Sequence, residues 1–306
     1  MTAKVAAYIT VYKDKQAARN CLEAIKSQSI AIDKIFIVDN SEQELLERDN
    51  NASVLIHHYP ENVGIGQGLV LALEWAIKEG YDFLWTFDQD SLPTENCLEI
   101  LLNYFNKLSL EDNNKIGIIA PTPIDQKTET IVPGAVFVKD HFIGWMHNPN
   151  VDFYDCDSPI TSGSLISIAA AKTVSFPRPE LFIDGIDLDY GLRLKQQGFR
   201  NLIVPKAVMY HNFGNPVQVQ FLHRKIIFHK YSGLRHYYIN RNHTYLETRY
   251  AQGLYRLTSC ARRIKYLLRS IVTIFLYEPE EKSLKIWACF LGIFHGFQGK
   301  LGKTWL

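Results

Sequence analysis

The sequence lacks the features that mark several common protein classes. Its 306 residues include five cysteines, scattered and never spaced as CxxC, which argues against a zinc site or disulfide framework and favours a reducing compartment. The formal net charge of +1 gives no overall field to attract nucleic acid. No uncharged apolar run reaches the roughly 18–20 residues of a membrane-spanning helix, and no charged-then-apolar leader precedes the first strand-like segment. We therefore expect a globular cytoplasmic protein with no nucleic-acid partner.

Two phosphate-binding fingerprints are missing as well. Gly64 and Gly66 permit tight turns and a close backbone approach to a ligand, but the residue three positions after Gly66 is Leu69, so GxGxxG is incomplete. No GxxxxGK[ST] sequence occurs. A dinucleotide site and a P-loop are both poorly supported, and an ordinary turn is the alternative interpretation of residues 62–66.

Strand-like and helix-like segments alternate through the first half of the chain. Apolar runs predict strands at 5–11, 34–41, 54–59 and 83–88, and amphipathic patterns predict helices at 14–27 and 67–78. This alternation predicts an α/β fold with a mainly parallel, doubly wound sheet. It stops after about residue 215, which predicts a catalytic domain over 1–215 and a helical region over 216–306.

Two carboxylates one residue apart follow the most apolar strand. Asp88 and Asp90 stand at its carboxyl end, the edge of an open α/β sheet where ligands bind. With no basic residue in the run, the two acids repel each other unless a hard cation joins them, and Mg²⁺ typically takes one or two carboxylates plus substrate phosphates. The alternative is a strand that ends in a polar turn, with Ser91 or Thr94 capping the next helix.

Other polar residues end predicted strands or begin a predicted helix. Asp39 ends the second strand and should lie near Asp88, where it could accept a hydrogen bond from a base or ribose. Asp187 is surrounded in sequence by apolar residues, and burial would raise its pKa towards that of a general base. Helix capping and an Asp189–Arg193 pair are the alternative explanation for the second acidic cluster. A lone His211 is more often structural than a ligand, although its imidazole could complete the coordination of a cation.

Together these segments resemble the inverting nucleotide-sugar glycosyltransferases of family 2, which have the GT-A fold, and most closely the bacterial rhamnosyltransferases. The resemblance extends from Val5 to about Gly214. It implies a Rossmann-like sheet flanked by helices, a nucleotide-sugar donor such as a dTDP-sugar, and Mg²⁺ or Mn²⁺ as cofactor.

The resemblance also implies roles for individual residues. Asp88-Gln89-Asp90-Ser91 is similar to the family's DxD motif, with Asp90 on the metal and Asp88 near the ribose and metal-bound water. Asp187 stands at the position of the catalytic base, with Asp184 as the fallback, and His211 stands in His-Asn-Phe where some relatives have a His-x-Trp metal ligand. The remaining positions are the donor-binding set Thr10, Tyr12, Asp39, Asn62, Gly64, Gly66 and Gln89, and the acceptor-side set Thr161, Ser162 and Gly163.

The region after residue 216 combines basic and apolar residues at helical spacing. Arg256, Arg262 and Arg269 alternate with leucine and isoleucine, and no acid intervenes before Glu278. This pattern suits a helix lying on an anionic membrane, and we expect peripheral contact with the inner face of the cell membrane and a glycan or polyprenyl-linked acceptor. Packing onto the catalytic domain, or a homo-oligomer interface, would explain the same apolar surface.

Two other functions fit an acidic pair on an α/β sheet. A sugar-phosphate nucleotidyltransferase would need a base cradling the triphosphate near the first strand, for which Lys13 is a poor candidate. A non-catalytic nucleotide-sugar-binding protein would keep the fold without turnover. Release of nucleoside diphosphate, rather than pyrophosphate, would distinguish the glycosyltransferase from both.

Overall fold

The computed structural model describes residues 3–47, 53–110, 115–145, 148–221 and 224–305. The strands are β1 (Val5–Val11), β2 (Lys34–Asp39), β3 (Val54–His58), β4 (Phe83–Asp88), β5 (Ser91–Pro93), β6 (Ile116–Asp125), β7 (Ala135–Val138), β8 (His141–Gly144), β9 (Tyr154–Cys156), β10 (Leu165–Ser167), β11 (Arg200–His211), β12 (Asn215–Phe221) and β13 (Arg224–Lys230). The helices are α1 (Lys15–Lys26), α2 (Gly64–Lys78), α3 (Cys97–Ser109), α4 (Ile168–Ala171), α5 (Ile186–Gln196), α6 (Gly233–Tyr250), α7 (Tyr255–Tyr277) and α8 (Lys282–Gln298).

One mainly parallel sheet forms the centre of the fold. Among the described residues it has nine strands in the order β3-β2-β1-β4-β10-β6-β11-β5, with β9 also paired to β11. Strands β1, β2, β3, β4, β6 and β11 run in one direction, and β5, β9 and β10 run in the other. The predicted α/β class with a mainly parallel sheet is confirmed.

The first strands are buried because their sequences are apolar without interruption. Every residue of β1 is buried, and Trp85 of β4 lies in the same core with no solvent exposure. Helix α1 covers this sheet with Ala18, Cys21 and Ile25, and the side chain of Asp14 caps it by accepting a hydrogen bond from the Ala17 amide at 3.0 Å. Strands β1 and β4 end at the same edge of the sheet, where Thr10 lies opposite Asp88.

Helix α2 begins three residues earlier than the apolar pattern predicts. Asn62 adopts a left-handed backbone conformation (φ 54°) and its Oδ1 accepts a hydrogen bond from the Gly64 amide at 3.0 Å. The turn therefore leads directly into the helix at Gly64, and the predicted loop 62–66 contains the first helical residues.

The second half of the sheet departs further from the predicted pattern. Strand β10 inserts antiparallel between β4 and β6, and β6 continues past Pro121 and Pro123 to Asp125. Residues 200–211, for which no strand was predicted above, form the long strand β11, with a register shift between Val204 and Val208. Because it pairs with β6 on one side and with β9 and β5 on the other, β11 is an interior strand.

The chain divides into two compact units. The first comprises residues up to Val136, Gly144–Pro179 and Ile186–Asn212, and it contains the nine-stranded sheet. The second comprises Phe137–Ile143, Glu180–Gly185 and the residues from Phe213 onwards, with the β12–β13 hairpin and α6 to α8. The predicted domain boundary near residue 215 stays a prediction. None of the described helices combines the length and the apolar character needed to cross a membrane.

Candidate active site

Three parallel strands bring polar side chains together at one edge of the first unit. In the β1–β4 ladder Thr10 is opposite Asp88, and in the β1–β2 ladder Val11 is opposite Asp39. The carboxyl ends of these strands are therefore level with one another. This register confirms the expectation that Asp39 and Asp88 share an edge.

Two carboxylates and one imidazole converge next to this edge. His211 Nδ1 lies 3.3 Å from Asp90 Oδ1, and His211 Nε2 lies 4.0 Å from Asp88 Oδ2. Both aspartate side chains are about 30% exposed, whereas the histidine is buried. The acids thus face solvent, and the imidazole lies beneath them.

Strand pairing explains how residues 120 positions apart meet here. The short strand β5 pairs antiparallel with the end of β11, which puts His211 opposite Ser91. Ser91 Oγ and His211 Nδ1 share a hydrogen bond of 2.9 Å. The Ser91 hydroxyl also contacts the hydroxyl of Ser162, which accepts a hydrogen bond from the Asp88 amide at 2.9 Å. Neither serine was predicted to support the acidic pair, and only the strand pairing reveals that role.

The acidic pair and its imidazole offer some of the ligand atoms that a divalent cation needs. Among the described residues no group of three or more His, Cys, Asp or Glu side chains is arranged to hold a metal ion. Two carboxylates with an adjacent imidazole nevertheless suit a divalent cation that keeps several positions for water and substrate phosphates. The donor set fits an ion bound together with a diphosphate.

The predicted donor-binding residues Tyr12 and Gln89 hold each other in place. The Tyr12 amide donates to Gln89 Oε1 at 2.7 Å, and Gln89 Nε2 donates back to the Tyr12 carbonyl at 2.9 Å. The Gln89 amide donates to the carbonyl of Thr10 at 3.1 Å. Gln89 therefore ties the loop after β1 to the loop after β4, while the Tyr12 ring stays exposed.

Asn40 joins the donor-side segments, although the sequence analysis did not select it. Its Nδ2 lies 3.4 Å from Thr10 Oγ1, and its Oδ1 accepts from the Val63 amide at 2.9 Å. The residue thereby connects the ends of β1 and β2 with the turn before α2. Its position directly after Asp39 at a strand end was the one signal that could have identified it.

Asp39 has a structural task in this arrangement. It is fully buried, and its two carboxylate oxygens accept hydrogen bonds from the amides of Ser41 at 3.0 Å and Leu45 at 2.7 Å. These bonds shape the loop after β2. Contact with a nucleoside stays a prediction for this residue.

The structure favours glycine at positions 64 and 66 for two different reasons. Gly64 has φ 81°, in the left-handed region that favours glycine. At Gly66 an added Cβ would lie 2.9 Å from the carbonyl oxygen of Arg178, so a second backbone segment passes too close for a side chain. Gly64 is thus favoured by its backbone conformation and Gly66 by close packing, and their role in donor binding stays a prediction.

Hydrogen bonds to β4 hold the 161–163 segment. The Gly163 amide donates to the Thr86 carbonyl at 2.7 Å, and the Trp85 indole donates to the Gly163 carbonyl at 2.9 Å. Gly163 has φ 80°, and a Cβ there would lie 2.8 Å from Met209 Sδ. The predicted acceptor-side residues Thr161, Ser162 and Gly163 therefore lie along β4, with Ser162 directly under Asp88.

The two acids in the first turn of α5 have separate roles. Asp189 is 1% exposed and is held by Arg178 at 3.0 Å and by Arg193 at 2.8 Å. The contact with Arg193 is the pair that the alternative interpretation predicted. Asp187 is partly exposed, and its Oδ1 accepts a hydrogen bond from the Leu188 amide at 2.9 Å. Of these two acids, Asp187 is the more exposed.

The fallback base, Asp184, belongs to the second unit. It has φ 70°, and its carboxylate lies 3.3 Å from His243 Nε2 and 3.8 Å from Arg235. Burial acts to raise the pKa of Asp184, but the hydrogen bond from His243 and the nearby positive charges hold it below its usual value. A carboxylate in that state is a weak proton acceptor, which disfavours it as a base relative to Asp187.

The part of the chain that contains these strand ends matches a known protein family. Residues 7–115 match the family described as Glycosyl transferase family 2. This stretch of the chain is therefore similar to family 2 glycosyltransferases. Asp88 and Asp90 lie within the matched residues, and Asp187 and His211 lie beyond them.

Individual relatives extend the similarity to glycosyltransferases beyond residues 7–115. The dTDP-rhamnosyl transferase RfbF of Shigella flexneri is 26% identical over 247 residues, which cover 79% of each chain. The crystal structure of GalNAc-T7 with UDP, GalNAc and Mn²⁺ matches with a TM-score of 0.57 and 11% identity, over 97% of this chain and 56% of that one. The structure of S. aureus TarS 1–349 matches with a TM-score of 0.50 and 12% identity, over 96% and 80% of the two chains. The protein is a glycosyltransferase with the GT-A fold.

Proposed function

We propose that this glycosyltransferase transfers L-rhamnose from dTDP-L-rhamnose, with inversion, to a hydroxyl of a growing cell-surface glycan or lipid-linked saccharide. The observation that supports it is the convergence of Asp88, Asp90 and His211 at the carboxyl edge of the sheet. The 26% identity to a dTDP-rhamnosyl transferase favours that nucleotide and sugar.

The cation proposed for this site is Mg²⁺ or Mn²⁺. Asp90 and His211 would hold it, with Asp88 towards the ribose, and the exposed carboxylates leave room for a diphosphate. When bound, such an ion offsets the negative charge of the departing nucleoside diphosphate. Ser91 and Ser162 keep the imidazole and the acid-bearing backbone in place through their hydroxyl groups.

Asp187 is the proposed base. It lies in the first turn of α5, and unlike Asp189 it is partly open to solvent. It accepts the proton of the acceptor hydroxyl while that oxygen forms its bond to the anomeric carbon and the bond to the diphosphate breaks. A single displacement of this kind inverts the anomeric configuration and needs no enzyme nucleophile.

The second unit is proposed to contact the inner face of the cell membrane. Helix α7 contains no acid, and it exposes bases (Arg256, Lys265 and Arg269) together with large apolar side chains such as Leu257 at 70% and Phe275 at 63%. Helix α8 exposes Trp287, Phe290 and Phe294. Anionic lipid attracts such bases while the apolar groups enter the interface, which would bring the enzyme to a lipid-linked acceptor.

An assay of nucleoside diphosphate release tests the reaction. Purified protein with Mn²⁺ and dTDP-L-rhamnose should release dTDP when a membrane extract containing lipid-linked saccharides is added. The same mixture with EDTA should release none. UDP-sugars serve as matched donors, and release of UDP at an equal rate would contradict the proposed donor.

A further inference from the structure

A cavity lies in the first unit, beside the end of β11 that is farthest from His211. Its volume is about 450 Å³. Strand β11 begins at Arg200 beside the cavity and ends at His211 beside the acidic pair. At about 3.3 Å per residue, the length of β11 from Arg200 to His211 places the cavity roughly 35 Å from the acids. The residues around it that matter here are Val136, Trp145, Asp155, Asp157, Lys195 and Arg200.

The charged groups around this cavity cancel in pairs. Arg200 donates from Nε and Nη2 to the two carboxylate oxygens of Asp155, at 2.8 and 2.7 Å. Lys195 donates to Asp157, which is almost completely buried. Two acids against two bases give no net charge to attract a phosphate, but they fix several donors and acceptors in place. Such a set suits a neutral ligand rich in hydroxyl groups.

Trp145 supplies an apolar face beside these polar groups. Its side chain is 43% exposed, and its backbone amide donates to the Gly134 carbonyl at 2.7 Å. The backbone around the cavity is equally well held, since Asn201 Nδ2 donates to the carbonyls of Asp157 at 2.7 Å and Gly191 at 2.8 Å. An exposed indole on a rigid support packs well against the C–H face of a pyranose ring, while the surrounding polar groups meet its hydroxyls.

We infer that this cavity binds neutral sugar units of the acceptor glycan, several units away from the end that is extended. The inference rests on the proposed transfer to a growing glycan. The site would retain a long acceptor between encounters with the donor. A long acceptor should then show a lower KM than a short one, at an unchanged kcat.

Calorimetric titration in EDTA, without nucleotide, tests binding apart from catalysis. The probes are two neutral series, of L-rhamnose oligomers and N-acetylglucosamine oligomers, each from one to six units. We expect the wild-type protein to bind the longer members of at least one series, and W145A to bind them at least tenfold more weakly. W145F, which keeps an aromatic face, should retain most of the affinity.

W287A is the matched control, because Trp287 is also an exposed tryptophan but lies on α8 of the second unit. It should bind the oligomers as the wild type does. Absence of binding in both series, or equal binding by W145A, overturns the inference. Release of dTDP, measured on the same preparations, tests the proposed reaction separately: binding without transfer would refute the reaction and leave this site standing.

Discussion

Asp187 and Asp189 are two residues apart, yet their surroundings give them different chemistry. Asp189 is enclosed by Arg178 and Arg193, and the guanidinium of Arg193 also donates to the carbonyls of Ser175 and Phe176. This acid fixes the 175–178 segment to α5. Asp187 has no such burial and remains the residue proposed to accept a proton.

Replacing Asp187 by Asn should lower kcat by about 10²- to 10⁴-fold, the usual contribution of a general base. Donor affinity should stay within about twofold of wild type, because the acid does not belong to the proposed cation site. Steady-state kinetics and dTDP titration measure the two quantities. D184N is the matched comparison, and a D184N enzyme that loses turnover while D187N keeps it would reverse the assignment.

His243 gives the second unit a pH-dependent stability. Burial acts to lower the pKa of His243, but hydrogen bonds to Asp184 and Glu247 raise it to about 9, against an opposing effect from Arg263. Because the folded pKa exceeds the unfolded value of about 6.5, the stabilisation is full below pH 6.5 and is lost as the pH rises to 9. The loss amounts to about 3 kcal/mol.

Denaturant unfolding of the whole protein at pH 6.5 and pH 9 measures this effect. The wild type should lose stability between the two values, whereas H243Q should start lower and change little. Asp184 and Glu247 have lowered pKa values, so their contributions change in acid, outside this window. Equal pH dependence in the two proteins would rule out His243 as the cause.

At the scale of elements, the predicted limits agree best with the structure where burial of apolar side chains alone determines the element. β1 and β4 are continuous apolar runs buried on both faces, so their limits agree with the pattern. The start of α2 was missed because Asn62, rather than the apolar spacing, sets it. The three-residue β10 and the continuity of β11 through Pro205 depend on partners far away in the chain, which local patterns do not contain.

The same limit applies to the candidate site. Asp88 and Asp90 were identified from one strand end, and His211 was a candidate cation ligand that the resemblance to the family then supported. The supporting hydroxyls of Ser91 and Ser162 follow only from the β5–β11 pairing and the route of 161–164 along β4. Strand ends can be predicted locally, but their partners require the topology.

We predict that the exposed bases of helix α7 contribute to membrane binding. Reversing three of its exposed bases, in R256E/K265E/R269E, should weaken binding to anionic vesicles by at least about 100-fold, since each base near such a surface contributes about 1 kcal/mol and the new acids are repelled. Binding to neutral vesicles should be unaffected. Vesicle sedimentation at low and high salt measures both.

The matched control reverses three exposed bases of α1 in the first unit, K15E/R19E/K26E. This variant should bind anionic vesicles much as the wild type does. If both triple variants lose binding equally, the attraction reflects total charge and the α7 surface is not the contact.

At the scale of the whole molecule, donor binding should be visible as thermal stabilisation. A ligand that binds the native state alone adds about 2.7 kcal/mol at 100 times its Kd. dTDP with Mn²⁺ should therefore raise the melting temperature of the wild type more than dTDP with EDTA. D90N should abolish the difference between these two conditions.

D152N is the control for this measurement, because Asp152 is an exposed acid paired with Lys206 at 2.9 Å. It should keep the full response to Mn²⁺. A D90N protein that is still stabilised by the metal would remove Asp90 from the cation site.

The pairing of β5 with the end of β11 has a consequence for how this enzyme acquires activity. Asp88 and Asp90 are synthesised more than a hundred residues before His211, so a nascent chain carries both acids without their imidazole. On the proposed assignment of His211 to the cation site, metal-dependent nucleotide affinity should arise only once β11 has paired with β5. Measured during refolding, that affinity would report the completion of the sheet directly.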